Sequence, residues 1–145
     1  MSPEKESLAD QKLLVVEKTQ KLFAKYGHVI DHQTADVLTP VNLALTIHQL
    51  AGEAPKANIN EEILDLAHAM LIKSQFEFAG GRSVNNSGRT NLLTGLNSVI
   101  ERIGENSGLT TEAVNEIYEN VHVRTSKNKS PHNLSSTLYE YLKSL

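Results

Sequence analysis

Apolar residues recur at helical spacing along this chain, in blocks cut by glycine, proline or short polar side chains. In the last third the blocks are Leu92, Leu96, Val99, Ile100 and Ile103, then Ala113, Val114, Ile117, Tyr118 and Val121, then Leu134, Leu138, Tyr141, Leu142 and Leu145. Steps of three and four residues bring each set to one face of an α-helix. A helix with one oily face must bury it, and consecutive oily faces bury against one another. The pattern predicts an all-α fold, a compact helical bundle of five to seven helices.

Composition sharpens that expectation. With three Phe, four Tyr and no Trp, the core has to be built from Leu, Ile, Val and Ala, which suits ridges packed into grooves. The 145 residues fit one helical domain, 1–145. The alternative is two helical subdomains, 1–79 and 91–145, joined by the 80–90 loop. The absence of cysteine excludes disulfides and thiolate metal sites. The acidic amino terminus lacks a leader-like basic and apolar run, and no stretch nears the roughly 18 apolar residues of a membrane span. The expectation is a cytoplasmic protein with no membrane partner and no cofactor.

Caps and breakers place the helices. Ser2 and Pro3 suit a first helix start, and Gly27 a stop. Residues 31–38 allow a short helical turn. Thr39 and Pro40 open a helix to about Ala51 that is apolar over more than half its circumference, the pattern of a central helix; Gly52 ends it. Asn60 before Glu61 and Glu62 starts the next helix, which keeps one apolar face to Gly80. The glycine-rich, polar segment 80–90 reads as a loop. A helix then runs from about Asn91 to Ile103, and 104–108 forms a turn. Thr110 or Thr111 caps a helix that fades near Val121–Val123. A basic loop, 124–130, precedes a last helix opened by Ser130 and Pro131.

Several residue sets could carry function. Arg82 and Arg89, in a glycine-rich loop before a helix start, suit an anion or a partner, although the spacing matches no nucleotide-binding fingerprint. Leu8, Val15 and Leu22, seven apart, would offer one side of the first helix to a partner helix. His28 and His32, four apart around Asp31, would share a helix face as metal ligands do; His48 and His68 could join them. Carboxylate pairs Glu61/Glu62 and Glu116/Glu119 fall at solvent-facing positions.

The last three helices have helix-turn-helix proportions. Arg124, Lys127 and Lys129 would meet phosphates, with Asn133, Ser135 and Ser136 at the start of the last helix meeting bases. The run 131–142, reading Pro-His-Asn-Leu-Ser-Ser-Thr-Leu-Tyr-Glu-Tyr-Leu, resembles recognition helices of winged-helix proteins. The charge is divided: residues 1–78 hold 7 Lys/Arg against 11 Asp/Glu, and 79–145 hold 7 against 6, so any nucleic-acid patch would be local. The expected function is a non-enzymatic helical adaptor or regulatory subunit that binds a protein partner or self-associates. A nucleic-acid-binding regulator is the alternative, and a histidine-based metal protein or enzyme the second alternative.

Overall fold

The computed structural model describes residues 7–57, 59–79, 86–127 and 131–144. The described residues form seven α-helices and no strand. These are α1 (Leu8–Lys25), α2 (His32–Leu38), α3 (Val41–Glu53), α4 (Glu61–Ala79), α5 (Asn86–Asn106), α6 (Thr111–Lys127) and α7 (Pro131–Lys143). A 3-10 turn, Ala54–Ala57, follows α3.

Side chains set the helix starts. Asp31 caps α2 by accepting from the Thr34 N–H at 2.7 Å. Asn60 accepts from Ile63 N–H at 2.8 Å, and Thr110 from Ala113 N–H at 3.1 Å. Each satisfies a donor that the first turn leaves open. The described start of α1 is capped by Ser7, which accepts from Asp10 N–H; Ser2 and Pro3 lie outside the described residues. Two helices end in the same motif. Gly27 (φ +91°) and Gly108 (φ +76°) take the left-handed conformation. The following residues, His28 and Leu109, donate back to Phe23 and Gly104 carbonyls at 2.7 Å, which closes the last turn of α1 and of α5.

The other breakers act differently from their sequence reading. Gly52 lies inside α3. Gly104 lies inside α5, where a Cβ would stand 2.5 Å from Val114 Cγ2; its role is to let α6 come close. Thr39 does not cap α3. Its hydroxyl donates to Ala35 O at 2.8 Å and closes the end of α2. Residues 86–90 are helical, not loop; the remainder of the 80–90 segment lies outside the described residues. The last helix but one does not fade at Val121: it continues to Lys127, with the buried Thr125 hydroxyl bonded to Val121 O.

The core is one cluster drawing on α1 to α7. Its most enclosed part is α4, not α3. Residues 66–72 of α4 are all buried, because α2, α3, α5 and α6 pack around it, whereas α3 keeps Val41, Asn42 and His48 in solvent. The sequence signal for this is an uncharged run between Asp65 and Lys73. The broadest pairing in the bundle is α3 with α7, so the last helix closes on the amino-terminal half. No described helix is long and apolar enough to cross a membrane.

Candidate functional site

Two places beside α4 gather polar groups. The first is a groove between α1, α3 and α4 enclosing about 290 Å³. Leu22, Ile47, Leu50 and Leu64 give it apolar walls, and Lys18, Lys21 and Lys25 edge it. These lysines share a flank of α1 because steps of three and four keep one side. Lys25 donates to Glu61 and Asp65, both at 2.8 Å, and the Tyr26 hydroxyl donates to Asp65 at 2.9 Å. The two carboxylates hold Lys25 above its ordinary range, and Lys25 in turn lowers Glu61. Burial, then the bond to Asp65, pushes Tyr26 up to about 12. Lys18 and Lys21 make no ion pair among the described residues. At the inner end, His68 Nε2 lies 3.2 Å from Thr19 Oγ1. Burial, aided by Lys18, lowers this imidazole to about 4, so it is neutral at ordinary pH.

The second place is the seam between α4 and α6. Ser74 Oγ lies 3.1 Å from His122 Nδ1, and the Tyr118 hydroxyl donates to the Glu77 carboxylate. Lys73 Nζ stands 4.1 Å from the centre of the Tyr118 ring. Burial first, then Glu77, raises the Tyr118 phenol well above its ordinary value, which keeps it protonated as a donor. A polar cleft of about 380 Å³ adjoins it, with Asn97, Glu101 and Glu105 of α5 facing Asn115 of α6. A hydroxyl beside an imidazole is the pairing of a nucleophile and its base. Ser74 is completely buried, however, so it offers no approach to an incoming substrate; the contact ties α4 to α6.

The residues singled out by sequence spread over the molecule. Leu8 is 52% exposed while Val15 and Leu22 are 1% and 4% exposed. The expected partner-facing stripe of α1 is therefore a core stripe, because α1 docks on α2 and α3. Arg124 lies on α6, its guanidinium 4.8 Å from the centre of the Tyr141 ring on α7. Lys127 is exposed in the last turn of α6. Ser136 is exposed, but Ser135 is fully buried, its hydroxyl without a partner among the described residues, so it faces away from any nucleic acid. Arg82 and Lys129 lie outside the described residues, as do the side chains of Arg89 and Asn133. His28 sits beyond the end of α1 and His32 begins α2, so the pair shares no helix face. His48 is exposed on α3. Among the described residues no three His, Asp or Glu side chains form a metal-binding group.

A further surface lies on α6. Glu112, Glu116, Glu119 and Val123 are all exposed, and their spacing sets them along the outward side, opposite buried Val114, Val121 and Thr125. Sequence reasoning registered the Glu116/Glu119 pair alone. The full stripe emerges once α6 is known to pass Val121. Comparison with protein-family models, curated proteins and solved structures gives no match for this chain.

Proposed function

We propose that this chain is a helical adaptor or regulatory subunit, without catalytic chemistry of its own, that binds another protein through the α1–α3–α4 groove. One observation carries the reading: an apolar recess whose rim includes two lysines, Lys18 and Lys21, that have no ion pair among the described residues. Such a recess takes an aliphatic side chain flanked by carboxylates, the usual anchor of an amphipathic helix in a groove. The reading suits a cytoplasmic assembly. The nucleic-acid alternative draws less support, since Ser135 is buried, Arg124 is stacked on Tyr141, and the outward side of α6 is acidic.

The test is capture on the immobilised chain and on a variant carrying Ala51→Glu and Lys21→Glu, which fills the groove with negative charge. Burying one aliphatic anchor contributes about 1.5–3 kcal/mol, so a repurified partner binds the variant at least about tenfold more weakly. Equal binding to both proteins removes the reading. Retention of labelled duplex DNA that falls steeply with salt favours the alternative.

A further inference from the structure

We propose that the basic flank of this groove docks a second copy of this chain: the acidic stripe of α6 on one copy lies antiparallel along Lys18 and Lys21 of α1 on the next. This rests on the adaptor reading and names its occupant.

On α1, Leu14, Lys18, Lys21 and Lys25 follow one another in steps of four, three and four. On α6, Glu112, Glu116, Glu119 and Val123 do the same. Any helix face has that spacing; the information is in the signs. Run antiparallel, Lys18 meets Glu119, Lys21 meets Glu116 and Leu14 meets Val123, while Glu112 falls beyond them at Lys25, which Glu61 and Asp65 already hold. Run parallel, Lys18 and Lys21 still meet Glu116 and Glu119, but Leu14 meets Glu112 and Val123 meets the paired Lys25, so the apolar contact is lost. Val123 is 45% exposed, one turn beyond Glu119, and Leu14 is half-buried one turn before Lys18 on the same flank of α1. Their meeting removes apolar surface from water at one end of two charge pairs.

The two faces belong to different parts of the molecule, α1 packing on α2 and α3, and α6 on α4, α5 and α7. The contact therefore joins unlike faces: it closes as a two-fold dimer if both pairs of faces engage at once, and otherwise gives a ring or an open chain. The charges are exposed, so the association is weak and salt-sensitive; at 0.1 M salt the screening length is already about 10 Å.

Light scattering decides it, with circular dichroism verifying that each variant stays helical. At low salt the average mass of the native chain rises above the 16.0 kDa monomer with concentration, and high salt returns it to monomer. Lys18→Glu with Lys21→Glu holds the chain at monomer mass, as does Glu116→Gln with Glu119→Gln. An equal mixture of the two variants forms a species of twice the monomer mass and nothing larger, because only one intact edge and one intact stripe remain per pair. A native chain that stays monomeric at low salt overturns the proposal, as does a mixture that stays monomeric or an assembly indifferent to both variants. If the native chain is monomeric while Ala51→Glu with Lys21→Glu still loses a captured partner, self-assembly falls and the adaptor reading stands. If capture is also unaffected, both fall.

Discussion

The two flanks of α4 use the same chemical pair, a hydroxyl against an imidazole, to opposite ends. Toward α1, Thr19, 0% exposed, meets His68 at the buried inner end of the groove. Toward α6, Ser74 meets His122 in a seam that opens onto a polar cleft and continues through Tyr118, Glu77 and Lys73. Both hydroxyls are buried; what sets the second pair apart is Tyr118, which extends it to exposed Glu77 and to the polar cleft. The difference shows that surroundings, more than residue type, assign the role of a polar pair.

Acid breaks the comparison most strongly. His68 titrates near 4 in the fold and near 6.5 in the unfolded chain. Its folded value is lowered, so the unfolded chain binds the extra proton first. The stability this contributes is complete above pH 6.5 and is lost as pH falls toward 4, by about 3 kcal/mol. Urea unfolding at pH 7, 5.5 and 4 measures it. His68→Gln is less stable at pH 7 but has a flatter profile across that window. Parallel profiles for the two proteins would show that the imidazole is not desolvated.

The helices flanking each seam differ in how tightly they are held, and their glycines report it. Gly104 in α5 faces Val114 of α6 at a distance no Cβ tolerates, whereas a Cβ on Gly52 in α3 meets nothing within 4 Å. Val114 is β-branched and buried, so it has little freedom to yield. Gly104→Ala destabilises the chain by about 1–3 kcal/mol through overpacking, read as a fall in melting temperature. Gly52→Ala raises stability by about 0.5–1 kcal/mol, the usual gain from replacing an exposed helical glycine. Equal effects would mean that α6 does not approach α5 as closely as the structure has it.

These glycines also mark where the sequence stopped being legible. The stop at Gly27 and the starts at Asn60 and Thr110 were legible locally, because a cap and its acceptor lie within a few residues. Whether Gly104 ends a helix or admits a neighbour depends on Val114, which belongs to the next helix. The seams were invisible for the same reason. Thr19 and His68 are 49 positions apart, and Ser74 and His122 are 48, so no spacing rule joins them. The α1 stripe failed differently. Heptad spacing of Leu8, Val15 and Leu22 identified an apolar side of the helix, but not whether α3 or another molecule covers it. The core alternation in α5, α6 and α7 survived because a helix buries its oily face whichever neighbour receives it.

The smallest effect lies in the wet seam. Tyr118→Phe removes the hydroxyl bonded to Glu77 and leaves the ring beneath Lys73. Glu77 is exposed, so water replaces the lost donor, and the full cost of an unsatisfied buried group does not arise. The ring keeps its contact with the lysine, worth about 0.5–1 kcal/mol at an exposed site. The expected loss is therefore below about 1 kcal/mol by denaturant midpoint at pH 7, within the modest net worth of a solvated hydrogen bond. A loss approaching that of Gly104→Ala would place Glu77 and Tyr118 in surroundings as dry as those of His68, and would erase the contrast between the two flanks of α4.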